Sequence, residues 1–185
     1  MSERSLLVLI EGRPAVGKTT VARRLAALLR EAGVPLAGFV TEELREGGRR
    51  VGFAIETFDD THGVLAHVAL PGPPRVGKYG VDLAGFERLV LPALASTPQG
   101  GVVLIDELGK MELASDAFRA AVTRLLEQPV ALVATVHAAR HPYTDALKRR
   151  PAVELVPVTV RSRNVLPERL AARLGDSSFC ADESA

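Results

Sequence analysis

Residues 12–19 read Gly-Arg-Pro-Ala-Val-Gly-Lys-Thr. The spacing is that of the Walker A pattern, G-x-x-x-x-G-K-[ST], a loop whose backbone N–H groups turn inward around a chain of phosphates. Gly12 and Gly17 let the backbone approach a ligand where a Cβ would collide. Lys18 is expected to set its ammonium on the β- and γ-phosphates, and the Thr19 hydroxyl is the expected Mg²⁺ ligand. Arg13, Pro14, Ala15 and Val16 fill the loop between its glycines, and Thr20 follows it.

The flanks agree. Ser5-Leu6-Leu7-Val8-Leu9-Ile10 is a short apolar run suited to a strand buried on both faces. Behind the loop, Val21, Leu25, Leu28 and Leu29 recur at helical spacing, and Gly33 is a natural stop. Strand, loop and helix in that order bring a helix N-terminus, with its free N–H groups and positive dipole end, against the phosphates.

The chain has 185 residues, enough for one domain with a sizeable core. Its formal net charge of +1 supplies no field to steer it to nucleic acid or an anionic membrane, so neither is expected as a partner. Cys180 is the only cysteine, which excludes an intramolecular disulfide and suits a reducing compartment. No run approaches the ~20 apolar residues of a membrane span, and the polar start, residues 1–4, does not resemble a signal peptide. A cytoplasmic monomer is expected.

Apolar runs alternate with amphipathic stretches, which predicts an α/β fold with a mostly parallel sheet flanked by helices. Residues 36–70 predict an antiparallel hairpin excursion: a strand at 36–41, a Gly47-Gly48 turn, alternation through Val51, Phe53 and Ile55, and a returning strand at 64–70. Residues 75–80 read as a Gly-rich loop. Asp82 and Ser115 are expected N-caps of helices. Residues 101–105, 130–136 and 152–158 predict further strands, 142–150 and 166–174 further helices. The stretch 175–185 is expected to fray.

The run 101–105 ends in Asp106-Glu107, the Walker B pattern. Its strand puts both carboxylates at the C-terminal edge of the sheet, where open α/β sheets bind ligands. Asp106 is expected to hold Mg²⁺ through its water shell. Glu107 is placed to take a proton from an attacking water. Thr135 and His137 end the next strand. A polar group there either senses the γ-phosphate or satisfies the strand terminus, and residue type leaves both open. Beyond Lys18, a further positive charge at the transition state is expected from Lys110, with Arg140, Lys148, Arg149, Arg150, Arg161 and Arg163 as other candidates.

With these motifs the chain resembles the cancer-related nucleoside-triphosphatase family, small P-loop nucleoside-triphosphate phosphohydrolases. Five stretches carry the resemblance: residues 12–20; Gly38-Phe39-Val40-Thr41-Glu42-Glu43 with Arg45; Gly52-Phe53-Ala54-Ile55; Val76-Gly77-Lys78-Tyr79-Gly80-Val81; and Ile105-Asp106-Glu107-Leu108-Gly109-Lys110-Met111-Glu112-Leu113. The resemblance implies slow, Mg²⁺-dependent hydrolysis of ATP, GTP and other nucleoside triphosphates with loose base preference. It implies a RecA-like sheet with one strand between the two Walker strands. It also implies that residues 12–19 and 105–112 bind the nucleotide. The family often carries Asn-Arg-Asp before its last helix; here Asn164-Val165-Leu166 stands instead, with Arg161 and Arg163 nearby.

Two other readings compete. A P-loop kinase would use the loop at 76–80 to hold a small acceptor. A nucleotide-dependent binding module would bind the di- and triphosphate with different affinity. Many small-molecule kinases lack a carboxylate directly after the Walker B aspartate, and the near-neutral charge counts against a nucleic-acid module.

Overall fold

The structure, a computed structural model, describes residues 6–97 and 99–179. Among these the chain runs β1 (Leu7–Gly12), α1 (Lys18–Glu31), β2 (Leu36–Glu46), β3 (Arg49–Thr57), β4 (His62–His67), β5 (Arg75–Val76), β6 (Tyr79–Val81) and α2 (Leu83–Ala95). It continues with β7 (Val102–Leu108), a 3₁₀ turn (Glu112–Ala114), α3 (Asp116–Leu125), β8 (Ala131–His137), α4 (Pro142–Lys148), β9 (Val153–Pro157) and α5 (Leu166–Phe179). The strands form one 9-stranded sheet in the order β5-β6-β4-β3-β2-β7-β8-β1-β9.

From β2 to β9 the neighbours are parallel. The loop strand β1 and the carboxylate strand β7 are separated by β8, the order the resemblance implies. This separation leaves a cleft above the end of β8, between the loop that follows β1 and the acids that end β7. Register sets the depth: Leu9 lies opposite Ala134, and Ile105 faces the same Ala134 from the other side.

Side chains alternate along β1 and divide the core. Leu7 and Leu9 join one apolar cluster with Phe39, Phe86 and Phe118 beneath α2 and α3, while Val8 and Ile10 join the other with Leu25, Leu29, Leu170 and Leu174 beneath α1 and α5. Phe86 and Phe118 meet edge to face at 5.1 Å, and Phe39 packs on both at 5.8 Å. Two helix starts follow their caps. Asp82 accepts from the Gly85 N–H at 2.9 Å, and Ser115 Oγ from the Phe118 N–H at 3.0 Å.

The antiparallel part is larger than residues 36–70. Strand β2 continues through Glu46 and turns at Gly47-Gly48 into β3, and β4 pairs on with β6. The stretch expected as a Gly-rich loop is the hairpin β5–β6, and β5 is the sheet's outer edge. These strands are too short for an alternation to register in sequence. At the other end α5 runs on through Phe179, past the Gly175 point where fraying is expected. Residues 180–185 of that tail, with Cys180, lie outside the described residues.

Candidate active site

Helix α1 begins at Lys18 with neither a side-chain cap nor an acid in its first turn. Its N-cap, Gly17, has φ 108°, a conformation costly for any residue with a Cβ. The N–H groups that a capping side chain normally satisfies are thus left to the loop's concave side. Gly12 at the other end is required for space: a Cβ there would lie 2.6 Å from both Val16 Cγ1 and Val158 Cγ1.

Lys18 is almost fully buried and folds back over the loop. Its Nζ donates to Gly12 O at 3.2 Å and Arg13 O at 3.3 Å, and lies 3.3 Å from Glu107 Oε2. The two Walker segments therefore meet directly, through a lysine and a carboxylate that face the same space.

Asp106 and Glu107, joined by a cis peptide, occupy opposite environments. Asp106 is 0% exposed. Its Oδ1 accepts from Thr135 Oγ1 at 2.6 Å and its Oδ2 from Thr41 Oγ1 at 3.3 Å. Hydroxyls from β8 and β2 thus fix the carboxylate of β7 from both sides. Glu107 is 25% exposed and, among the described residues, its carboxylate is paired with Lys18. The first is a rigid buried oxygen donor; the second is an acid free to move once its lysine is drawn away.

Glu112 adds a third carboxyl. It is buried, and burial together with the nearby Glu107 and Asp106 pushes it up to about 8, although backbone N–H groups of Glu112 and Gly109 pull the other way. Gly109 makes room for this crowding. A Cβ there would stand 2.7 Å from Glu112 Oε2 and 3.1 Å from Glu107 Oε1. At neutral pH Glu112 therefore carries a proton.

These groups open on a cavity of about 690 Å³, within the range of small-molecule sites. Pro14, Ala15, Gly17, Lys18, Thr19 and Thr20 line it from the loop side. Glu107, Leu108, Gly109, Lys110, Met111 and Glu112 line the opposite wall. Of the expected site residues, Ile105 and Asp106 lie behind this wall, fully buried. Arg13 is exposed and faces a second groove with Gly12 and Val16.

The antiparallel arm supplies the remaining side through Thr41, Glu43, Arg50, Phe53 and Val76. Arg50 ties this wall together: Nη1 donates to Glu43 Oε1 at 2.7 Å and Nε to Tyr79 Oη at 3.1 Å. The Arg50 and Arg45 partners hold the Glu43 carboxyl below its ordinary range. None of these wall residues follows from a motif. Thr41, Glu43, Phe53 and Val76 fall in the resemblance stretches at 38–45, 52–55 and 76–81, while Arg50 lies in none of them.

The cation candidates separate. Lys110 and Arg140 line the cavity. Lys148 is engaged elsewhere, donating to Glu11 Oε1 at 2.6 Å and His137 O at 2.8 Å, and Arg150 lies 3.8 Å from Glu127. Arg163 lies along the phosphate loop: Nη1 donates to Val16 O at 3.5 Å, and its Cδ crosses 3.1 Å from where a Gly17 Cβ would stand. A guanidinium therefore sits at the loop although the triplet expected before α5 is altered. Thr135 is resolved as an Asp106 partner, while His137 lines the cavity.

The donor set fits Mg²⁺. Thr19 and Asp106 offer a hydroxyl and a carboxylate, hard oxygen donors of the kind this cation takes alongside phosphate oxygens and water.

A family model described as NTPase matches residues 7–171. The chain is 42% identical over 160 residues to nucleoside-triphosphatase THEP1 of Thermotoga sp. (strain RQ2), covering 86% of this chain and 90% of that protein. It is 40% identical over 176 residues to the cancer-related nucleoside-triphosphatase of Homo sapiens, covering 87% of this chain and 93% of that one. The crystal structure of THEP1 from the hyperthermophile Aquifex aeolicus matches with a TM-score of 0.82 at 33% identity, over 91% of this chain and 99% of that chain.

Proposed function

The chain belongs to the NTPase family, and on that premise we propose that it hydrolyses nucleoside 5′-triphosphates, ATP and GTP among them, to the diphosphate and phosphate. The reading includes dependence on Mg²⁺, slow turnover and broad base tolerance. The observation that carries it is the 3.3 Å approach of Lys18 to Glu107, with Asp106 locked behind. It supports a site where phosphate binding and water activation share one space.

Entry of a triphosphate draws the Lys18 ammonium away from Glu107 and the loop carbonyls onto phosphate oxygens. Glu107, released, accepts a proton from a water that attacks the γ-phosphorus. The bond from γ-phosphorus to the bridging oxygen breaks, and the diphosphate leaves with that electron pair. Lys18 and Lys110 face the charge that develops on the γ-oxygens. Glu112, protonated beside Glu107, keeps a further anion away from the phosphates. Thr19 and Asp106 would hold Mg²⁺, whose chemistry when bound is to neutralise charge between the β- and γ-phosphates. Slow turnover fits a base that is tied to its own lysine at rest.

We further infer a monomer with its sheet in one domain. No helix among the described residues is long and apolar enough to cross a membrane. A cytoplasmic location is the proposal that goes with a lone cysteine.

Phosphate release from a nucleotide panel with Mg²⁺ and no acceptor tests the activity. Release above background from several bases is the expected result. Background release from every nucleotide, or transfer of γ-phosphate to a metabolite, would overturn it, the latter in favour of a kinase.

A further inference from the structure

We propose that Lys148 is a positioning residue for phosphate binding: it acts through Glu11, drawing that carboxylate onto α4 and cancelling its charge at the base of the phosphate loop. The proposal rests on the nucleotide reading above and adds a residue that serves the phosphates without touching them.

Glu11 stands where an acid is poorly suited to an anion site. It directly precedes Gly12, with which the loop begins, so the two Cα atoms are about 3.8 Å apart. It lines a groove together with Gly12, Arg13 and Val16. The start of α1 favours negative charge, for its first turn holds no acid and its N–H groups carry no side-chain cap. An uncompensated carboxylate one residue upstream of the loop works against this. It lies within the roughly 10 Å over which charges are felt at ordinary ionic strength.

Lys148 removes that opposition. It is the last residue of α4, 137 positions away in sequence, and its Nζ donates to Glu11 Oε1 at 2.6 Å and to His137 O at 2.8 Å. Its side chain is 12% exposed and that of Glu11 25%. Withdrawn from bulk water, each charge is felt more strongly by its surroundings than a surface charge would be. The pairs Arg24–Glu168 and Arg173–Glu154 differ, since both members of each are at least 44% exposed and such pairs contribute little.

The main chain shows that the loop's position does not depend on this pair. Glu11 lies in register with Val136 on one side and Pro157 on the other. Glu11 O accepts from the Val158 N–H at 2.8 Å, and Gly12 O accepts from the Ala138 N–H at 3.2 Å. Backbone bonds therefore hold the base of the loop from both neighbouring strand ends. What the two side chains add is charge balance.

The partners consequently affect an anion in opposite directions. Without Lys148, Glu11 is left negative beside the loop. Without the Glu11 charge, Lys148 is left positive there. On the fold they act alike, because either one alone is a partly buried charge without its counter-ion. A purely structural tie would instead move affinity and stability together in both variants.

The test uses the full chain with inorganic tripolyphosphate, read by calorimetry beside urea midpoints. Lys148→Met and Glu11→Gln are both expected to lower the midpoint. Lys148→Met is expected to weaken tripolyphosphate about tenfold, and Glu11→Gln to tighten it about threefold. The double variant, with a neutral pair, should return to within about threefold of the parent. ADP should follow the same order. Weakening by both single variants, a double variant as weak as Lys148→Met, or three variants that bind like the parent would each overturn the proposal. Should Lys148→Met fail to fold, Glu11→Gln decides: tighter binding supports the charge role, and unchanged or weaker binding overturns it. Every readout is binding or unfolding. Absent phosphate release would thus count against the hydrolytic reading alone, and intact release with equal affinities would count against this proposal alone.

Discussion

The two flanks of the phosphate loop differ in kind. Toward β7, Lys18, Glu107, Glu112 and the buried Asp106 crowd four ionisable groups together. Toward β9, the wall is Val16, Pro157, Val158 and Val160. One flank invests in positioned charge and the other in shape. A triphosphate laid between them would meet its chemistry at one end and tolerance at the other. Damage on the β7 flank should alter rate or phosphate affinity, whereas damage on the β9 flank should alter affinity for nucleosides alone.

The sharpest way to break this contrast is Glu107→Gln. Loss of the general base should lower phosphate release by about 10²–10⁴-fold while leaving nucleotide affinity in place. Calorimetry beside a release assay checks both, and unchanged release would remove Glu107 from its role. Lys18→Ala comes next. Removing a buried charged donor should weaken triphosphate and tripolyphosphate alike, by about 10- to 100-fold. A loss confined to one base would instead place the lysine's influence on the wrong flank.

Thr135→Val probes the support behind Asp106. Freed from a 2.6 Å hydrogen bond, the carboxylate loses its fixed orientation, and turnover should fall about tenfold and require more Mg²⁺. A Mg²⁺ titration of release reads this, and an unmoved midpoint would reduce Thr135 to a strand terminus. The smallest effect concerns stability. In the nucleotide-free protein, Glu112 is raised from 4.5 to about 8, so the folded state holds a proton that the unfolded chain has released. Stability from this group falls as pH rises from about 4.5 to about 8 and levels off above. Urea midpoints for the parent and Glu112→Gln should diverge across that window, with the variant gaining. A constant difference would show that Glu112 does not titrate there.

The same contrast explains what could be read from the amino acids. Leu7 to Ile10, Val102 to Ile105 and Leu132 to Ala134 are strand segments buried on both faces, so each is a continuous apolar run and visible by itself. Asp82 and Ser115 cap their helices through local contacts three residues long. The phosphate loop and its partner carboxylates carry fixed spacings. By contrast, β2 from Glu42 to Glu46 is charged and pairs only with β3, so its strand character depends on a neighbour. Thr41 and Thr135 converge on Asp106 from different strands, across sequence separations of 65 and 29. Arg163 reaches Val16 across 147 positions. No local pattern encodes such meetings; strand order creates them. Lys148 shows the converse, a candidate by residue type that packing assigns to Glu11.

The most direct measurement is hydrolysis of Mg·ATP and Mg·GTP in water enriched in heavy oxygen, without acceptor, followed by mass analysis of both products. Glu107 acting on a water at the γ-phosphorus predicts one labelled oxygen in the released phosphate, none in the diphosphate, and near-complete loss of labelled phosphate with Glu107→Gln. Label in the diphosphate, or labelled phosphate produced at the parent rate by the variant, would contradict it.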